Sequence, residues 1–261
     1  MTRQKNRAAE VSRAGAKGPP ERQVGLARAL SKLGYCSRSQ ASVLIQAGQV
    51  KLNGRVRRDP GTPVHISSDK IEVGERRVRA QEFVYLLMNK PRGVVTTASD
   101  EKGRETVYAL LDKNLPWVAP VGRLDKASEG LLLLTNDSEW AGRILDPASG
   151  VEKTYHVQIG STAPESIVAA LRHGIASDGE LLRIRRASVL RHGKRNAWLE
   201  IVLDEGKNRH IRRMLAALDV SVLRLVRISI GPLALGKLGK GATRPMDPAE
   251  KNAIDSLLPG T

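Results

Sequence analysis

The chain of 261 residues has a single cysteine, Cys36, and almost no aromatic side chains. One cysteine cannot form a disulfide within the chain, and it cannot build a thiolate zinc site. We therefore expect a reducing compartment, the cytoplasm. No apolar run reaches membrane-spanning length, so we expect no membrane partner. Aromatic residues make up 3% of the chain, which leaves few side chains that could stack on a nucleic-acid base.

The sequence also lacks the patterns of metal and nucleotide chemistry. No two histidines are spaced as a ligand pair on a helix. They stand at His65, His156, His173, His192 and His210. Residues 231–238 nearly spell a phosphate-binding loop, but Leu238 occupies the position where a hydroxyl would hold magnesium. We expect no metal site and no cofactor.

Acidic residues are scarce relative to basic ones, which gives a net charge of +16. Residues 23–80 hold 11 Lys and Arg against 4 acids, and residues 81–261 hold 26 against 21. A polyanion is the expected partner, gripped mainly by the front of the chain. Residues 1–22 predict a disordered basic tail that contacts RNA, with a transit peptide as the alternative.

Residues 23–80 predict a compact module of two helices and a small sheet. Apolar residues recur at helical spacing from Leu26 and stop at Gly34. Ser37 or Ser39 caps a second helix, and Asn53-Gly54 forms the turn of a hairpin. These segments resemble the RNA-binding domain named for ribosomal small-subunit protein four, here called the S4-type domain. The resemblance implies phosphate contacts from four residues: Ser37, Arg38, Lys51 and Arg55.

One loop of the body presents a lone acid, Asp125, before a purely apolar run. Leu131-Leu132-Leu133-Leu134-Thr135 predicts a strand buried on both faces, ahead of an Asn-Asp turn. A loop at the edge of a buried sheet holds a carboxylate still, which suits catalysis. A turn-forming Asp near glycine is the simpler alternative. A glycosidase would need a second acid; Glu129 is the nearest, and we expect it to be a solvent-facing loop residue.

The remaining body mixes strands and helices without a strict repeat, which favours an α+β fold with a mainly antiparallel central sheet flanked by helices. Strands are expected over residues 83–88, 154–159, 198–203 and 223–230, and helices over 107–111, 164–171 and 208–218. Asp247 caps a last helix and Glu250 completes its capping box. The body is assigned to residues 81–258.

Several motifs of the body together resemble the ribosomal small-subunit pseudouridine synthase A family and its large-subunit relatives. They are residues 87–91, Gly122-Arg123-Leu124-Asp125, Glu152-Lys153-Thr154-Tyr155, residues 205–214 and residues 227–233. They stand in order behind an S4-type domain, and the resemblance spans residues 24–250. It implies conversion of one uridine in ribosomal RNA to pseudouridine, without a cofactor. The base leaves its nitrogen link to the sugar and rejoins through carbon.

The resemblance implies roles for particular residues. Asp125 matches the nucleophile, Arg212 its basic partner and Tyr155 the residue that stacks on the base. Arg123 is a local rival for the role of Arg212, or else a phosphate contact. Leu225 matches a position that packs on the base. The remaining expected substrate contacts are Arg227, Asn208 and His210, where His210 replaces the usual Gln.

The alternative from another class is a non-catalytic RNA-binding assembly factor. The combination of Asp125, Tyr155 and Arg212 favours the enzyme, provided that the Asp125 and Arg212 side chains lie close together in the fold. The expected substrate is a loop uridine of ribosomal RNA, because an unstacked base is easier to flip. The overall pattern of residues 118–157 favours the large subunit over the small one. We expect a monomer.

Overall fold

The computed structural model describes residues 23–98, 100 and 102–259. The predicted basic tail, residues 1–22, lies outside the described residues. No helix in the described ranges is long and apolar enough to cross a membrane.

The first part of the chain folds as two helices beside small antiparallel sheets, as predicted. Its helices are α1 (Leu26–Lys32) and α2 (Arg38–Gln46). Its strands are β1 (Val24–Gly25), β2 (Val50–Leu52), β3 (Arg55–Arg57), β4 (Pro63–Val64), β5 (Ile71–Val73) and β6 (Arg76–Arg77). Four of them form a sheet in the order β3-β2-β5-β6, and β1 pairs with β4. Both helices pack on this sheet through one apolar cluster.

The predicted hairpin turn and the predicted cap of α2 are both found in this part of the chain. Asn53 and Gly54 both have positive φ, 52° and 78°, which suits a two-residue hairpin turn. Of the two candidate caps, Ser37 is the one used. Its hydroxyl accepts the backbone N–H of Gln40, and the Gln40 side chain accepts the N–H of Ser37.

The second, larger part contains the main sheet. Its helices are α3 (Ser138–Leu145), α4 (Pro164–His173), α5 (His210–Ala216) and α6 (Pro248–Asp255), with short 3-10 helices at Val107–Leu110 and Pro147–Ser149. The strands are β7 (Tyr85–Lys90), β8 (Ala119–Val121), β9 (Glu129–Thr135), β10 (Lys153–Ile159), β11 (Ile175–Ser177), β12 (Glu180–Leu182), β13 (Arg186–His192), β14 (Ala197–Leu203), β15 (Val222–Ile230), β16 (Leu233–Ala234) and β17 (Thr243–Pro245).

The main sheet runs β13-β14-β10-β15-β9-β7-β17, with β8 beside β9 and β16 beside β15. Its pairs are antiparallel except for β15 with β9, so the predicted α+β class is confirmed. Every residue of β9 is buried, as its run of leucines predicts. The parallel pair joins β9, which follows the Asp125 loop, to the strand that carries Leu225 and Arg227.

Gly130 makes that junction possible. Its φ is 106°, and an added Cβ would lie 2.3 Å from the backbone oxygen of Arg227 and 2.7 Å from its nitrogen. Only glycine fits a backbone this close to its neighbour.

Asn136 ties the two parts of the chain together. Its Oδ1 accepts the N–H of Val84 at 2.8 Å, and its Nδ2 donates to the carbonyl of Glu82 at 2.9 Å. Both contacts hold the segment that connects β6 to β7. In the middle of that segment the N–H of Gln81 donates to the carbonyl of Leu33, at the end of α1. The connecting segment is therefore hydrogen-bonded to the first part of the chain and to the second.

Two features of the body depart from the sequence analysis. Glu129 is not a solvent-facing loop residue: it is the first residue of β9 and only 4% exposed. Its carboxylate is paired with Arg224 at 2.8 Å and Lys240 at 3.2 Å. The Asn-Asp turn after β9 opens an additional helix, α3, because Asp137 caps it by accepting the N–H groups of Glu139 and Trp140.

Candidate active site

A cavity of about 430 Å³ opens where the β8–β9 loop meets β10, β15 and α5. Most of the residues singled out from the sequence of the body line it: Arg123, Asp125, Tyr155, His210, Arg212, Leu225 and Arg227. Asn208 is exposed and is not among the lining residues. Residues distant in sequence thus converge on one concave site, which is the usual form of an active site.

Asp125 reaches the cavity from a tight loop. Gly122 starts the loop with a φ of 74°, and the N–H of Ser128 closes it on the carbonyl of Asp125 at 2.9 Å. The Asp125 side chain is 34% exposed, so a bound group can touch its carboxylate. The loop runs directly into buried β9, and the sheet therefore fixes its position.

Two guanidinium groups face this carboxylate. Arg212 Nε lies 3.8 Å from Asp125 Oδ2, and Arg209 Nη1 lies 3.6 Å from the same atom. The condition that Asp125 and Arg212 lie close together is met. Arg123 lines the cavity but makes no ion pair with Asp125 in the described residues. Opposite charges at this range attract each other, so the two Arg side chains help to hold the carboxylate at the cavity.

Arg209 is the cation that sequence reasoning did not single out. It precedes α5 in the left-handed conformation, with φ of 49°, a backbone turn that its residue type does not signal. Arg212, one turn later, is held differently. It is half-buried, and its Nη2 donates to the carbonyl of Ala127 at 3.0 Å, inside the Asp125 loop. Burial and the neighbouring charge of Arg209 lower the pKa of Arg212.

Lys90 supports the Asp125 loop from below. It is fully buried at the end of β7, and its Nζ donates to the carbonyls of Pro91, Asp125 and Ser128 at 2.9–3.2 Å. Burial lowers the pKa of Lys90 to about 8. An ammonium with three carbonyl acceptors holds the loop backbone in one conformation. The motif at residues 87–91 signalled this segment, but its lysine was not assigned a role.

The wall beside Asp125 comes from adjacent strands. Tyr155 on β10 is half-buried and packs on two apolar clusters that meet at the cavity. Leu225 and Arg227 lie two residues apart on β15 and share its cavity face, as the period of two predicts. Buried Arg227 donates its Nε to the carbonyl of Leu131 at 2.7 Å, and its Nη2 has no partner in the described residues.

His210 is a second group with unused hydrogen-bonding capacity. The ring is 3% exposed and lines the cavity, and neither of its nitrogens makes a hydrogen bond of good geometry among the described residues, although the backbone of Arg183 lies close enough to raise the pKa of the ring. Burial lowers its pKa, although Glu205, 3.7 Å from Nδ1, opposes this effect. The neutral ring can donate one hydrogen bond and accept another.

The expected RNA-contacting residues of the first part lie on its surface. Arg38, Lys51 and Arg55 are exposed, and Ser37 is half-buried because it caps α2. Arg38 begins that helix, while Lys51 and Arg55 lie on the paired strands β2 and β3. Among the described residues, no group of three or more His, Cys, Asp or Glu side chains could hold a metal ion.

Comparison with known protein families identifies both parts. Residues 84–217 match the family model described as RNA pseudouridylate synthase, and residues 24–71 match the S4 domain. The chain belongs to the RNA pseudouridylate synthase family and carries an S4 domain at its front. It is thus an RNA-modifying isomerase, and the resemblance seen in the sequence is confirmed.

Named relatives cover nearly the whole chain. The Bacillus subtilis (strain 168) protein "Ribosomal large subunit pseudouridine synthase B" is 36% identical over 89% of this chain and 96% of its own length. An uncharacterized RNA pseudouridine synthase of Aquifex aeolicus (strain VF5) is 36% identical over 87% and 92%. A crystal structure of a pseudouridylate synthase superposes with a TM-score of 0.62 at 31% identity, covering 88% of this chain and 99% of that one.

Proposed function

We propose that this enzyme converts one uridine in a loop of large-subunit ribosomal RNA to pseudouridine, with Asp125 as the nucleophile. The observation that carries the proposal is the position of Asp125, in reach of a 430 Å³ cavity and facing Arg209 and Arg212 at 3.6 and 3.8 Å. The name of the Bacillus subtilis relative supports the choice of the large subunit.

The reaction is an isomerisation, so no atom is added or lost overall. The bond from the sugar to N1 of the base breaks, a bond from the same sugar carbon to C5 forms, C5 loses its proton and N1 takes up a proton. A carboxylate that participates covalently must be held close to the base, and the charges of Arg209 and Arg212 attract it towards the cavity. Lys90 and Arg212 hold the loop backbone on either side of Asp125, which keeps the carboxylate in place.

The remaining cavity residues would position the base. Tyr155 offers a ring for stacking, and Leu225 offers an apolar contact. The uridine leaves its stack at a cost of a few kcal/mol, which is smaller for a base already in a loop. His210 and the free Nη2 of Arg227 offer hydrogen bonds to a base or phosphate that enters the cavity. Arg123, exposed at the rim, suits a phosphate.

The alternative, an RNA-binding protein without the reaction, has no use for this arrangement. A binder needs phosphate contacts, and the S4 surface of Ser37, Arg38, Lys51 and Arg55 would supply them. It does not need a carboxylate between two guanidinium groups at a cavity, since a carboxylate repels phosphates. We further propose that the domains extend over residues 23–80 and 81–258, and that the enzyme acts as a monomer in the cytoplasm.

The test is to map pseudouridines across both ribosomal RNAs by chemical adduct formation and primer extension. Cells that lack the protein are compared with cells rescued by wild type, Asp125→Asn or Asp112→Asn. Asp112 is an exposed acid outside the cavity lining and serves as the matched control. We expect one large-subunit site to vanish, to return with wild type and Asp112→Asn, and to stay absent with Asp125→Asn. Full rescue by Asp125→Asn would refute the role of Asp125, and a small-subunit site would refute the target.

A further inference from the structure

The catalytic part of the chain carries a strongly basic segment that the active site does not use. Residues 181–199 contain six Lys and Arg and no acid, between Glu180 and Glu200. They are Arg183, Arg185, Arg186, Arg191, Lys194 and Arg195. Residues 81–261 as a whole have only five more basic than acidic residues, so this one segment accounts for the entire excess.

The segment forms an exposed hairpin at the edge of the main sheet. Strand β13 is the end strand of the sheet, and it turns back into β14 through residues 193–196. Arg191, Lys194 and Arg195 are all exposed. The described residues offer no carboxylate partner to these three side chains, whereas Arg185 and Arg186 are paired with Glu152. Three cations without a carboxylate partner in the described residues thus lie at one end of the sheet.

An aromatic side chain fixes one of these cations. Trp198 lies directly across from Arg191 in the β13–β14 pair, and the Arg191 guanidinium carbon is 5.0 Å from the centre of its ring. Arg224, two strands further on, approaches the same ring at 5.7 Å. A guanidinium that is already held against a ring loses little further conformational entropy when it binds a phosphate.

The sheet face around Trp198 is open. His156 and Glu200, in the central strands β10 and β14, pair across it at 3.4 Å and keep about a third of their side-chain surface exposed. The helices α4 and α5 pack on the opposite face, through the cluster that contains Leu199, Ile201 and Met214. The side of the hairpin that carries Trp198 therefore belongs to a sheet face that no helix of the described residues covers.

We infer that the β13–β14 hairpin is a second RNA-binding surface, which grips phosphates of the substrate RNA outside the segment that enters the cavity. Its charge complements a phosphate backbone, and Arg191, Lys194 and Arg195 outnumber the one large apolar side chain exposed beside them, Leu190. Ala197 and Leu203 are the two ends of β14, and six steps along a strand span about 20 Å. Leu203 lines the cavity from the face that the helices cover, so the bound RNA must extend at least that far from the target base and reach the hairpin round the end of the sheet.

The inference rests on an RNA substrate, but not on Asp125 or on a particular uridine, so it is tested by binding alone. A fluorescent long oligouridine RNA is titrated with intact wild type, with Lys194→Gln/Arg195→Gln, and with Lys113→Gln/Lys237→Gln. The last variant removes the same charge from exposed positions elsewhere. Binding is measured by anisotropy from 0.1 to about 1 M salt, because each single-strand phosphate contact contributes about 0.7 to the salt slope.

We expect the hairpin variant to bind about tenfold more weakly near 0.15 M salt, with a slope shallower by about 1.4, and to match wild type near 1 M. The control variant should bind as wild type does. Equal binding by all three proteins would overturn the inference, and so would equal weakening in both variants, which reports net charge only. Circular dichroism confirms the fold of each variant.

A second measurement requires no variant. Acetylation of lysines in the wild-type protein, read by mass spectrometry, should show Lys194 protected by the oligouridine and Lys113 unprotected. Equal reactivity of Lys194 with and without RNA would overturn the inference even if the variant result were ambiguous.

Discussion

Replacing Gly130 by alanine tests whether the junction of β9 and β15 sets the geometry of the active site. The new Cβ would lie 2.3 Å from the Arg227 oxygen, and ordinary contact begins near 3.4 Å. The strands must therefore separate by about 1 Å, because the obstacle is backbone and not a flexible side chain. Arg227 and Leu225 move with β15, while Asp125 stays with the loop before β9.

The loss of folding stability expected for Gly130→Ala has two parts. An alanine held at a φ of 106° is strained by about 1–3 kcal/mol. Loosening the two paired positions of β9 and β15 loses about 1 kcal/mol for each hydrogen bond. The sum is about 4 kcal/mol, which lowers Tm by roughly 8–16 °C in a domain of this size. If Asp125 and the β15 residues act as proposed, a shift of about 1 Å between them should reduce the rate about 100-fold.

Thermal unfolding and pseudouridine formation are measured on Gly130→Ala and on Gly206→Ala as the matched control. Gly206 also lines the cavity, but it has no positive φ, and an added Cβ there meets nothing within 4 Å. The control should melt within about 2 °C of wild type. A Gly130→Ala protein that melts as wild type does, with full activity, would refute the reasoning.

Three further predictions concern buried polar groups around the site. Burial lowers the pKa of His210 below its ordinary value of about 6.5, so its contribution to stability is complete above that pH and is lost as the pH falls towards the folded-state pKa. Urea unfolding should therefore show His210→Gln losing less stability than wild type between about pH 7.5 and 5.5; an equal loss would contradict this. Lys90→Met leaves three carbonyls, one of them buried and two partly buried, without this donor and should cost about 3–5 kcal/mol together with most of the activity, measured by urea unfolding and tritium release from labelled RNA. A Lys90→Met enzyme with wild-type activity would show that the lysine does not hold the loop. Glu129→Gln weakens the pairs with Arg224 and Lys240, which keep 40% and 66% of their surface in solvent, so unfolding should show a loss of only about 1–2 kcal/mol. A loss above about 4 kcal/mol would mean that water does not reach these two ion pairs.

Sequence patterns predicted those parts of the fold whose causes are local. The run at residues 131–135 is buried because a purely apolar strand can only lie inside a sheet. Asp247 and Glu250 form the expected capping box, since all of its atoms come from one helical turn. Glu129 was misjudged because its burial depends on Arg224 and Lys240, about a hundred residues away along the chain. No local rule contains such a pairing.

The candidate site divides in the same way. The glycines of the Asp125 loop and the leucines that follow it predicted this loop from the sequence. Its partner Arg212 was identified only through a family motif, because no local pattern marks it. Arg209 was missed because its approach to Asp125 depends on a left-handed backbone at the start of α5. Arg is not a residue type that predicts such a backbone conformation.

The bonds of Asn136 have a consequence for the thermodynamics of RNA recognition. A loose tether between two binding units must be immobilised when both bind one molecule, and the lost chain entropy weakens the complex. Here Val84, Glu82 and Gln81 are already hydrogen-bonded in the free protein. An RNA that reaches from the S4 domain to the cavity meets two surfaces at a preset separation. Its affinity then depends on whether its own fold matches that separation, so a correctly structured ribosomal RNA is favoured over an unfolded strand of the same sequence.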